Sequence, residues 1–63
     1  MCLSTVFELW GDERKKVAEH VTGVTIIPGA VKLSDILGAE LEIKGSIKSI
    51  DLMANEIIIS PEN

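Results

Sequence analysis

The sequence predicts an all-β fold, namely a small SH3-like barrel of about six or seven short antiparallel strands. Turn-forming residues interrupt the apolar segments roughly every six to ten residues, which is typical of β proteins. A helical spacing of apolar residues is not sustained beyond one turn, because residues 22–25 (Thr22, Gly23, Val24 and Thr25) are poor helix formers. An open sheet of so many strands would leave unpaired edges, so we expect the sheet to close into a barrel.

Four strands are predicted in the first half of the chain. The first strand alternates between two faces, so that one side can enter a core, and the second returns beside it as a hairpin after a turn at Gly11. The third is rich in β-branched residues and ends at Pro28 and Gly29. The predicted strands are residues 3–10, 15–19, 21–27 and 31–34. In the first of them, Leu3, Thr5, Phe7 and Leu9 form one face and Ser4, Val6, Glu8 and Trp10 form the other.

Three further strands are predicted in the second half of the chain. The first of these alternates apolar and charged residues, so one of its faces should lie in water. Gly45 separates it from the next strand. In the last strand Ile57 and Ile59 share a buried face, and we expect Ile58 to face another subunit or the solvent. These strands are residues 40–44, 47–52 and 56–60.

The small size of the chain predicts that it needs additional stabilisation. A chain of 63 residues forms at most a single domain, residues 1–63, and buries only about 60% of the surface that it exposes when unfolded. The chain has one cysteine, which excludes an internal disulfide. A structural metal, unusually good packing or oligomerisation remain. Together with Ile58, this favours a homodimer.

The charge of the chain argues against a nucleic-acid partner, because its net charge is −4 and such binding needs clustered Lys and Arg. One short basic run, Arg14, Lys15 and Lys16, is interpreted as the solvated end of a hairpin rather than a docking patch. We find neither a signal-peptide pattern nor the roughly 20 consecutive apolar residues of a membrane span. We therefore expect a cytoplasmic location and a reduced thiol.

Cys2 is the candidate metal ligand, since it is the only cysteine and directly follows Met1. Its thiolate and a neighbouring backbone nitrogen make a five-membered chelate for a soft or borderline divalent metal. Nickel, copper and zinc all suit such a donor pair. The alternative interpretation is an unreactive thiol that behaves as a small apolar residue.

Three segments together resemble the CooT family of small nickel-binding proteins. They are MCLSTV at residues 1–6, VKLSDILG at residues 31–38 and GSIKSIDL at residues 45–52. Each segment alone is an ordinary strand or turn, but their order, spacing and total length agree with the family along essentially the whole chain.

The resemblance implies a homodimer of SH3-like barrels that delivers nickel(II) to carbon monoxide dehydrogenase. It also implies that nickel binds through the cysteine after the initiator methionine, which is Cys2 here. Carbon monoxide dehydrogenase or its maturation proteins are then the expected partners. The other matched segments are interpreted as scaffold.

The coordination chemistry of nickel predicts one metal per homodimer. Nickel(II) with strong-field ligands prefers a square plane, and Cys2 of both chains would supply two sulfurs and two nitrogens at a two-fold axis. The nitrogen is a free amine if Met1 is removed, and an ionised amide or another nitrogen if Met1 stays. The sequence leaves both alternatives open.

The remaining polar candidates are interpreted as surface or packing residues. His20 is the only other side chain with strong affinity for nickel, and it has no partner at ligand spacing. Trp10 is expected to close one end of the barrel or to lie in a dimer contact. Four acidic residues are interpreted as solvent-exposed surface residues rather than catalytic groups, namely Glu40, Glu42, Asp12 and Glu13.

No catalytic motif is present in the sequence, so we do not expect an enzyme. The alternative function is a small β-barrel module that binds a partner protein without a metal. The two functions differ at Cys2, because only the nickel carrier needs the thiol.

Overall fold

The computed structural model describes residues 3–62 of the chain, and Met1, Cys2 and Asn63 lie outside this range. The described residues contain five strands and no helix, which confirms the all-β prediction. No helix within residues 3–62 is long and apolar enough to cross a membrane. The strands are β1 (Ser4–Trp10), β2 (Glu13–Ile27), β3 (Ala30–Asp35), β4 (Glu40–Asp51) and β5 (Glu56–Pro61).

The five strands form one sheet that closes into a barrel. Each strand pairs antiparallel with the next one along the chain, as predicted. The sheet closes through a parallel pair of β1 and β5, in which Val6 lies opposite Ile57. This parallel pair was not part of the sequence prediction. The SH3-like class of the barrel and the homodimer stay predictions.

The prediction of six or seven strands is wrong, because two pairs of predicted strands are single bent strands. Gly45 was expected to separate two strands, but it lies inside β4 with a φ of 142°. In β2 the register with β1 shifts between Val21 and Ala18, which is a β-bulge, and His20 there has a φ of 59°. The merged segments are residues 15–19 with 21–27, and residues 40–44 with 47–52.

The barrel core takes side chains from all five strands. Ile57 and Ile59 are buried, as predicted, and Ile58 is half-buried on the outer face of β5. The buried core residues are Val6, Val21, Val31, Leu33, Ile43, Ile57 and Ile59. They are all aliphatic, and most are β-branched, which suits a pleated sheet that is buried on one side.

In β1 the inner face is the one that contains Val6, which is fully buried. Phe7 and Leu9 are half-buried on the outer face. The guanidinium of Arg14 lies 4.2 Å from the centre of the Phe7 ring. Arg14 also donates a hydrogen bond of 2.8 Å from Nη2 to Oε1 of Glu56. The side chain of Arg14 on β2 therefore covers the ring of Phe7, which lies outside the barrel core.

Candidate functional site

The candidate ligand Cys2 lies outside the described residues, but the structure shows where the chain enters the barrel. We call this place, at Leu3 and Ser4, the chain entry. Leu3 is the first described residue, and Ser4 begins β1 opposite Val21 of β2. On the other side of β1, the N–H of Thr5 donates a 2.9 Å hydrogen bond to the carbonyl oxygen of Asn55. The start of β1 is therefore held between β2 and the turn that precedes β5.

Exposed apolar side chains flank this chain entry on both sides. Ile36 and Leu37, in the turn after β3, are 61% and 90% exposed. Leu52 and Met53, in the turn after β4, are 81% and 95% exposed. We call these four residues the entry cluster. Apolar residues concentrated around one place on the surface are typical of a contact site.

Both turns of the entry cluster are fixed by an aspartate at the end of the preceding strand. Oδ1 of Asp35 accepts hydrogen bonds of 2.9 Å from the N–H groups of Leu37 and Ala39. Oδ1 of Asp51 accepts hydrogen bonds of 3.0 Å from the N–H groups of Met53 and Ala54. Such side-chain to backbone bonds stabilise tight turns. The exposed apolar residues are therefore presented on ordered turns.

His20 lies beside the chain entry, because it precedes Val21, the partner of Ser4. Its carbonyl oxygen accepts a 3.0 Å hydrogen bond from the N–H of Ile36, which connects the bulge of β2 to the entry cluster. The residue is exposed, as the sequence analysis expected. Within residues 3–62, no group of three or more His, Cys, Asp or Glu residues is arranged to hold a metal ion.

The other sequence candidates do not converge on one site. Trp10 is exposed, and its Nε1 donates a 3.1 Å hydrogen bond to Oε1 of Glu8. It lies at the end of β1 that is remote from Ser4. The acidic residues Asp12, Glu13, Glu40 and Glu42 are all exposed. The entry cluster was missed by the sequence analysis, although an aspartate at each strand end was a signal of a tight turn.

The fold and this site define a small five-stranded β-barrel protein whose chain entry is surrounded by exposed apolar turns. The family model described as CO dehydrogenase accessory protein CooT matches residues 1–60. The chain therefore belongs to the CooT family of CO dehydrogenase accessory proteins, in agreement with the resemblance in its sequence.

A solved structure supports the same assignment. The chain is similar to the crystal structure of a protein assigned as CooT from Carboxydothermus hydrogenoformans, with 26% sequence identity and a TM-score of 0.89. The similarity covers 98% of this chain and 100% of that chain. No curated protein sequence matches this chain.

Proposed function

We propose that the protein is a nickel(II) carrier for the maturation of CO dehydrogenase. In this proposal residues 1–63 form one SH3-like domain, and a homodimer binds one nickel ion through Cys2 of both chains. The observation that carries the proposal is membership of the CooT family, whose members are accessory proteins of CO dehydrogenase. Nickel is the cargo of such a protein rather than a resident cofactor.

The chemistry of Cys2 suits a reversible nickel site. The thiolate is the form that binds metal, and metal binding drives its deprotonation. Two thiolates and two backbone nitrogens would complete a square plane around nickel(II). A site made by residues at the chain entry would stay accessible to a recipient protein, as a carrier requires.

The entry cluster supports a dimer in which the two Cys2 residues meet. A two-fold interface uses the same surface on both subunits, so residues close to the axis lie close to their own copies. An interface through the entry cluster would bury Leu37, Leu52 and Met53, which are almost fully exposed in the single chain. It would also bring together the segments that precede Ser4 in the two chains.

The test is a nickel titration of the reduced protein, followed by calorimetry and by sulfur-to-nickel charge-transfer absorption. We expect saturation at half a nickel per chain. Replacement of a direct ligand should cost more than the about 10- to 100-fold loss that is typical of outer-shell residues. Cys2→Ser should therefore lower the nickel affinity more than about a hundredfold and abolish the charge-transfer bands.

The matched control is His20→Asn, which removes the imidazole. Asparagine tolerates the positive φ of 59° at this position, so the fold should be kept. We expect His20→Asn to bind nickel like the parent protein. Nickel binding that persists in Cys2→Ser, or no binding in the parent, would contradict the proposal and favour the metal-free interaction module.

A further inference from the structure

The first half of β2 has one edge without a partner strand in the described structure. Residues Glu13 to Ala18 pair with β1 only, whereas the strand pairs with β3 from Val21 onwards. In an antiparallel ladder, alternate residues direct their backbone N–H and C=O groups away from the partner strand. Residues 13–19 therefore present a row of backbone groups to which a further strand can bind, and we call this row the open edge.

Charged residues of both signs lie along the open edge, and the two signs are separated. The end near the hairpin turn has one acidic residue, Glu13, and three basic residues, Arg14, Lys15 and Lys16, whereas the far end has Glu19. Arg14 has an ion-pair partner on β5. Lys16 lies 3.4 Å from Glu19, but both side chains are 53% exposed, and such surface pairs are weak. The lysines and Glu19 are therefore available to a second chain.

A groove extends the acidic end of the open edge. It has a volume of about 460 Å³, and β2 forms one side while the end of β3 and the start of β4 form the other. Three of its charged residues are acidic, Glu19, Asp35 and Glu40, and one is basic, Lys16. The groove therefore offers negative charge beside apolar surface to a bound strand. Its apolar lining includes Val17, Ala18, Leu33 and Leu41.

A second copy of the chain has charges that complement the open edge. In a two-fold pair of antiparallel strands, residues on either side of the centre of one strand lie opposite each other's copies. A centre at Lys15 or Lys16 would place a lysine opposite its own copy, which is destabilising. A centre near Val17 instead places the lysines of each copy beside Glu19 of the other. The distribution of charge therefore favours this arrangement.

We propose that the open edges of two copies of this chain pair antiparallel, with the two-fold axis near Val17. Backbone hydrogen bonds between the strands supply the affinity. Lys15 and Lys16 of each copy bind Glu19 and Glu40 of the other, and these contacts select a second copy as the partner.

The open-edge contact differs from the proposed nickel dimer in place and in strength. It lies on β2, whereas the entry cluster lies on the turns after β3 and β4, and it needs neither nickel nor Cys2. One pair of short strand edges buries less surface than a stable interface, which needs roughly 1,200 Å². We therefore expect a dissociation constant of about 0.1 to 1 mM, so that the edge is unoccupied at micromolar concentration.

The first experiment is hydrogen–deuterium exchange of the full-length, reduced protein at about 10 µM and at about 1 mM. Roughly half to four-fifths of the edges should be paired at the higher concentration. Exchange of the outward-facing amides of residues 13–19 should therefore slow about two- to fivefold. Cys2→Ser should show the same protection whatever its nickel titration gives, which separates this inference from the proposed function.

The second experiment exchanges the charges of the two ends and measures mass by analytical ultracentrifugation. Lys15→Glu with Lys16→Glu should weaken the open-edge contact more than about tenfold, because like charges then meet. Glu19→Lys with Glu40→Lys should have the same effect. An equimolar mixture of the two variants should associate within about threefold of the parent protein, since the charges that meet in a mixed pair are again opposite.

Lys44→Glu with Lys48→Glu is the control, because it changes the net charge equally but lies on β4 outside the groove. It should associate within about threefold of the parent protein in about 0.15 M salt, which screens distant charges. A lack of protection at residues 13–19 would overturn the proposal and show that the lysines keep the edge unpaired. A mixture that associates no better than either variant alone, or an equal loss in the control, would overturn it as well.

Discussion

Single residues decide where a long strand changes its pairing partner, and Gly45 is the clearest case, because β4 pairs with β3 up to Lys44 and with β5 from Gly45 onwards. Its φ of 142° is in a region that side chains rarely adopt. A Cβ atom at this position would overlap the carbonyl oxygen of Ser60 on β5, which is backbone and cannot rotate away. We therefore expect Gly45→Ala to lower the free energy of unfolding by about 2 kcal/mol or more. Urea denaturation of the two proteins measures this difference.

Gly29→Ala is the matched control for this prediction. Gly29 also has a positive φ, 74°, but a Cβ atom there would have no neighbour within 4 Å. Gly29→Ala should therefore lower the free energy of unfolding only by the cost of a side chain at a positive φ, about 1 to 2 kcal/mol. Equal losses in the two variants would contradict the role given to the close approach of β4 and β5.

At the scale of elements, the bend of β2 depends on the bulge at His20. The residue has a φ of 59°, which asparagine and glycine adopt far more readily than a β-branched residue. His20→Val should therefore lower the free energy of unfolding by about 1 to 2 kcal/mol, whereas His20→Asn should change it by less than about 0.5 kcal/mol. Thermal or urea unfolding compares the three proteins. A stable His20→Val variant would show that the bulge adapts to other residues.

The strand content was predictable from the sequence, but the number of strands was not. Alternation and β-branched residues identified the segments that became β1 to β5, including the buried pair Ile57 and Ile59. Glycine usually marks a turn, so the sequence predicts the end of a strand at Gly45. In β4 it instead permits close contact with β5 at Ser60, and this contact depends on a pairing that a single sequence does not reveal.

For the candidate site, too, local features are predictable from the sequence, and features that depend on strand pairing are not. Cys2 is a candidate ligand from the sequence alone, because a sole cysteine and its chelate chemistry are local properties, and its role stays a prediction. The entry cluster is not predictable in this way, since Leu37 and Leu52 are far apart in the sequence. Their turns are placed beside the start of β1 by strand pairing, across β2 on one side and β5 on the other. Likewise, the basic run at Arg14 was interpreted as the solvated end of a hairpin. Its position on an unpaired edge becomes visible only when the partners of β2 are known.

At the scale of the whole molecule, a chain of 63 residues with strongly exposed apolar turns should be stabilised by association. If the entry cluster is the dimer interface, polar residues there should separate the subunits. Burial of a Leu or Met side chain stabilises the dimer by about 1.5 to 3 kcal/mol. In a two-fold interface each residue is buried once in each of the two subunits. Leu52→Ser with Met53→Ser should therefore raise the dimer dissociation constant at least about a hundredfold.

Light scattering or analytical ultracentrifugation across a range of concentrations measures this change. Ile26→Ser is the control, because Ile26 is 73% exposed and lies near the turn between β2 and β3, at the opposite end of β3 from Ile36. We expect this variant to remain a dimer. The monomeric Leu52→Ser, Met53→Ser variant should also lose saturation at half a nickel per chain, since its Cys2 residues no longer meet. A variant that stays dimeric would exclude the entry cluster as the interface, and dissociation by Ile26→Ser would place the interface at the other end of the barrel.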